Sequence, residues 1–170
     1  MSYVMHRIFC APAGDMEPER EAFYQAVGEF NEKHAMPRDV LFVAVALPYH
    51  SFDKRPFQAA ISENIRACRY YIQALEDTWG PVEKNWERDY AVACRCAADP
   101  NLPMQEVAVL FKKPLLPHQV EPSVLELKSR LAAGRSQPYA EFETLEEFKA
   151  QLTRLLSGWL ETIAPAAIGA

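Results

Sequence analysis

Residues 40–47, VLFVAVAL, form an unbroken apolar run rich in β-branched side chains. At eight residues it is far too short to cross a bilayer, which takes about 20, and it lacks the alternation of a strand with one wet face. Such a run reads as a strand covered on both sides, the pattern of a parallel sheet sandwiched between helices. Four further strand-like stretches accompany it: HRIFCAP (6–12), YYIQALE (70–76), QEVAVLFKK (105–113) and the shorter QPYAEFE (137–143).

Helical spacing fills the intervals between them. Phe23, Ala26, Val27 and Phe30 recur at i, i+3, i+4 and i+7 and predict a helix over 17–34, with Asp15 placed to cap it and Glu17 and Glu19 suited to its positive end. Phe57, Ala60, Ile61, Ile65 and Cys68 predict a second over 56–68, and Trp86, Tyr90, Ala93 and Ala97 a third over 83–98. A shorter helix begins after Pro122 and stops at Gly134. The last starts at Thr144, where Glu147 completes a capping box, and runs to Ile163. Strict β–α alternation with short connections predicts an α/β, flavodoxin-like three-layer sandwich: five parallel strands in the order 2-1-3-4-5, with right-handed crossovers. One domain over 1–163 is expected, followed by a flexible tail at 164–170.

Bulk properties exclude several function classes. A net charge of −5 and the lack of a basic tract argue against nucleic acid as a partner. The N-terminus MSYVMHR has no secretory signal, so residence in the cytoplasm is expected, with no membrane association. Cys10, Cys68, Cys94 and Cys96 do not form a disulfide framework, and the C-x-C pair on a helix points its thiols about 200° apart, which is wrong for a shared metal. His6, His34 and His118 lack metal-ligand spacing, so no metal site is expected.

In an open sheet of this order, ligands bind at the carboxyl ends of the first and third strands. Those ends lead into APAGDM (11–16) and DTWGPVEKN (77–85), which places Ala13, Gly14, Asp15, Trp79 and Gly80 at the expected site. Neither loop carries a phosphate-binding glycine fingerprint. The loop PYHSFDKRPF (48–57) can fold over the same cleft, with Tyr49, His50, Ser51, Asp53 and Lys54 as polar or aromatic contacts. Closeness of His50, Ser51 and Asp53 in sequence does not make a triad, which is recognised by geometry.

Four stretches together carry a resemblance: RIFCAPAGDMEPEREAF, FQAAISENIRACRYYIQALEDTWG, NWERDYAVA and YAEFETLEEFKAQLTRLL. They resemble the TIR-like domains at the N-termini of bacterial signalling (STAND-type) NTPases, whose wider relatives include NAD-cleaving TIR domains and nucleoside deoxyribosyltransferases. CAPAGD departs from the Ser/Thr-rich loop usual there. The resemblance implies a small-molecule nucleotide or nucleoside as partner, with NAD as a substrate and no required cofactor, and an acid on the helix after the third strand as the catalytic group. Alignment with the TIR enzymes selects Glu87, beside Trp86, while alignment with the deoxyribosyltransferases selects Asp89. A carboxylate there would stabilise the oxocarbenium-like state of N-glycosidic cleavage, with Trp79, Trp86 and Tyr49 as aromatic surface for the base. The alternative from another class is a non-catalytic module that self-associates or meets a signalling partner.

Overall fold

The computed structural model describes residues 2–14, 16–47 and 53–165. Five strands, β1 (Val4–Pro12), β2 (Val40–Val45), β3 (Tyr70–Leu75), β4 (Glu106–Lys112) and β5 (Tyr139–Phe142), form one parallel sheet in the order β2-β1-β3-β4-β5. This is the flavodoxin-like order read from the alternation. Register pairs Val4 with Val40, Ile8 with Tyr70, Tyr70 with Glu106 and Val109 with Tyr139.

Helices α1 (Glu17–Phe30) and α5 (Leu145–Ile163) cover one face, and α2 (Gln58–Arg66), α3 (Trp86–Ala98) and α4 (Pro122–Ala133) the other. The period-2 alternation of β3 shows how one strand serves both layers. Tyr70, Ile72 and Ala74 join the α1/α5 core with Phe23, Phe42 and Trp159. Tyr71 and Leu75 join Ile61, Ile65 and Tyr90 on the opposite side. No helix among the described residues is long and apolar enough to cross a membrane.

Element ends depart from the sequence reading for local reasons. The expected 17–34 helix stops as an α-helix at Phe30 and widens into a π-type turn over Asn31–Ala35. There Asn31 donates through Nδ2 to the Phe42 carbonyl (2.8 Å) and accepts the Phe42 N–H through Oδ1 (2.9 Å). The Tyr24 hydroxyl brackets Ala46 N and O in the same way, so side chains of α1 and of the turn after it satisfy backbone groups of the edge strand β2 and of Ala46 just beyond it. The N-cap of α1 is Met16, with no side-chain cap, and Asp15 lies outside the described residues. Gly134 ends α4 with extended backbone at φ −89°, not the left-handed turn a glycine permits. At α5 the Thr144 hydroxyl accepts from Glu147 N (3.1 Å), but Glu147 reaches back to the N–H of Glu143. The expected capping box is thus offset by one residue on its return bond.

Candidate functional site

The segment from β3 to α3 is shaped by two residues in the left-handed region, Gly80 (φ 78°) and Asn85 (φ 53°). A Cβ on Gly80 would lie 2.7 Å from Cζ3 of Trp86, so the indole rests on the glycine and leaves no room for a side chain. Upstream, the Thr78 hydroxyl (2.6 Å) and the Trp79 N–H (3.2 Å) both donate to the Glu121 carboxylate at the start of α4, and Gly80 N–H donates to Thr78 Oγ1 (2.9 Å). Trp79 packs on Tyr90 at 5.7 Å between ring centroids. Both indoles are therefore fixed from behind.

They wall a hollow of about 350 Å³ with Gly80, Asn85, Glu87 and Arg88. A second hollow of about 400 Å³ adjoins it between α3 and α4, sharing Trp79 and Glu87 and adding Tyr90, Cys94, Arg95 and Arg130. The Tyr90 hydroxyl donates to Gln137 Oε1 (2.7 Å), whose amide nitrogen in turn donates to Cys94 Sγ (3.3 Å). Burial pushes the Tyr90 phenol far above its ordinary range, so it stays protonated as a donor.

The two acids singled out by the sequence part company. Glu87 is exposed and lines both hollows. Asp89, only 1% exposed, points into the protein. Its Oδ2 is ion-paired with Lys54, itself buried, and its Oδ1 accepts from Gln58 Nε2 (3.0 Å). Gln58 Oε1 accepts from Asn85 Nδ2 (3.1 Å), which ties the network to the turn before α3, and the Lys54 ammonium sits 5.8 Å from the Trp86 ring centre. Burial raises the carboxyl pKa of Asp89 and lowers that of Lys54, each opposed by the partner's charge. The pair holds the start of α2 to α3.

Of the remaining expected residues, Ala13 is buried and donates its N–H to Ala74 O (2.9 Å), extending the β1–β3 pairing past the strand end. Gly14 turns the chain at φ 91°. Tyr49, His50 and Ser51, like Asp15, lie outside the described residues. The first turn of α1 has acidic Glu17 and Glu19 and Pro18, which has no N–H to donate. Glu19, 1% exposed, pairs with Lys112 (2.6 Å) through Oε1 while Oε2 has no hydrogen-bond partner. Arg20 is engaged by Ala46 O (2.9 Å) and Glu17 (3.0 Å). Both acids at this helix start are thus paired with a base, and Pro18 withholds one of the N–H groups with which a helix N-terminus usually meets an anion. The structure thus gathers Trp79, Gly80, Trp86 and Glu87 around one hollow, sets Asp89 in a separate buried network, and leaves Ala13 and Gly14 at the end of β1. Sequence reasoning missed Gln58, Tyr90 and Glu121, which partner the site from three different elements.

No protein-family model matches the chain, and no curated protein sequence matches it. Among solved structures, general stress protein 14 of Treponema denticola in complex with FMN is 13% identical, covering 93% of this chain and 99% of that one, at a TM-score of 0.43. The Trp repressor binding protein of Bacillus subtilis is 12% identical, covering 89% and 98%, at 0.41. These likenesses are weak, and the fold class stands on the strand order itself.

Proposed function

We propose that the chain binds a nucleoside or nucleotide at the carboxyl end of its sheet, with the base against the wall formed by Trp79 and Trp86 and the sugar toward Glu87. The carrying observation is the hollow itself: two pinned indoles, an open carboxylate and the side chains of Asn85 and Arg88 around about 350 Å³, within the range of small-molecule sites. A ligand phosphate, where present, is directed toward Arg88 or the arginines of the neighbouring hollow.

The chemistry drawn from the TIR-like resemblance is cleavage at the N-glycosidic bond. The C–N bond electrons leave with the base, the sugar acquires oxocarbenium character that the Glu87 carboxylate stabilises, and water or an acceptor hydroxyl adds to the anomeric carbon while losing a proton. Glu87 is the better supported acid because Asp89 has both oxygens engaged by Lys54 and Gln58. The test is release of nicotinamide from NAD. Glu87→Gln is expected to lower the rate at least a hundredfold, the scale of one lost electrostatic contact to a transition state, about 3 kcal/mol. Full activity in Glu87→Gln would remove the catalytic role.

The module reading, without catalysis, rests on exposed aliphatic residues, Val82 at the hollow (78%) and Leu115 in the segment after β4 (91%). Self-association in sedimentation, with no nucleoside binding, would favour it.

A further inference from the structure

The amino end of the sheet, opposite the hollows above, holds two residues that each carry a buried nitrogen without a hydrogen-bond partner. His6 on β1 and Arg69 just before β3 lie side by side, with Arg69 Nη1 3.5 Å from His6 Nδ1. A guanidinium can only donate, so Nδ1 accepts and the ring hydrogen sits on Nε2. That Nε2 is buried with no hydrogen-bond partner, and so is Nε of Arg69. Arg69 also reaches the Tyr70 hydroxyl. The two residues line a hollow of about 370 Å³ with Arg7, Met5, Val43 and Pro103. Arg7 is exposed, and among the described residues neither Arg7 nor Arg69 is ion-paired.

Native interiors rarely leave a buried donor without a partner, and here two lie together beside the wall of one hollow. Every polar side chain that lines this hollow is a donor or a cation, in a chain whose net charge is −5. An apolar molecule would leave those donors unmet, and a cation would be repelled.

We propose that this hollow is an oxyanion site, for phosphate or the phosphate group of a small metabolite, bound by the guanidinium groups of Arg7 and Arg69, with His6 behind them positioning Arg69 through Nδ1. The anion would accept from the guanidinium ends of exposed Arg7 and half-buried Arg69, through charge-assisted hydrogen bonds that are stronger than neutral ones. This site is independent of the nucleoside reading, because it lies at the other end of the strands and shares no residue with it.

Calorimetric titration of the full chain in phosphate-free buffer, with inorganic phosphate in one arm and glycerol phosphate in the other, tests this. Saturable binding at one site is expected, weakened about tenfold in Arg7→Gln and in Arg69→Gln, the scale of one charge-assisted bond, and unchanged in Arg38→Gln. The His6 ring resonance, assigned by its loss in His6→Gln, is expected to shift over the same range. Tighter binding of glycerol phosphate makes the ligand a phosphomonoester, and binding of phosphate alone makes it the free ion. Arg7 is exposed, so its variant keeps the test open if Arg69→Gln fails to fold. Lack of saturable binding by both anions, or equal affinity in wild type and Arg7→Gln, would overturn the proposal.

Discussion

The two faces of one sheet are built on different terms. Against α1 and α5 the sheet packs Phe23, Phe30, Phe42, Tyr70 and Trp159, with Tyr70 and Trp159 stacked at 4.1 Å. Buried polar side chains on that side, His6, Asn31 and Glu19, sit at its margins, the last two serving β2 and β4. Against α2, α3 and α4 an apolar core of similar make-up, including Phe9 stacked on Tyr71 at 5.6 Å, is threaded by polar groups. The Lys54–Asp89–Gln58 network is one, and the chain from the Tyr71 hydroxyl to Gln73 (2.8 Å) and on to Ala11 O (2.6 Å) is another. Buried ion pairs seldom outdo apolar packing of the same volume. Both faces therefore supply apolar packing, and the second is where position and polarity have also been kept despite their cost.

Substitutions on each face can break this contrast. Phe23→Ala, at a wholly buried position, is expected to cost about 4 kcal/mol in chemical denaturation while leaving ligand binding at the distant hollow intact. Asp89→Ala removes the carboxylate paired with the buried Lys54 and is expected to cost about 3 kcal/mol, whereas the double variant Lys54→Met, Asp89→Leu is expected to recover most of it. Failure of the double variant to recover would mean that the network stabilises the fold outright. Gly80→Ala combines a left-handed φ with a Cβ 2.7 Å from Trp86 and is expected to cost about 2 kcal/mol. Its sharper effect is loss of nucleoside binding, because the Trp86 ring must move. Retained affinity would show that the indole wall is not used.

The fold was legible because its evidence is local and repeated. A both-faces-apolar run such as 40–47 and helix stripes such as Phe23, Ala26, Val27 and Phe30 each state their own environment, and alternation leaves few topologies. On α3 the spacing also held more than was taken from it. Asp89 stands three residues after Trp86 and one before Tyr90, on the buried stripe, while Glu87 falls off it. Register alone separates the two acids. What spacing could not reveal is pairing across the fold: Lys54 with Asp89 over 35 residues, or Arg69 with His6 over 63. Lys54 reads as a loop contact and His6 as an isolated histidine until parallel strands and α3 bring their partners in. The π-type turn at Asn31 has the same origin, since only the neighbouring edge strand explains it.

The proposed nucleoside binding can be watched directly through the three indole N–H resonances in an adenosine or NAD titration. Trp79 and Trp86 line the hollow, whereas Trp159 lies in the α1/α5 core with its N–H held by Glu106 at 2.7 Å. The account predicts saturable shifts for Trp79 and Trp86 while Trp159 stays still. Indole signals that remain unmoved at millimolar ligand, or that all move together, would contradict it.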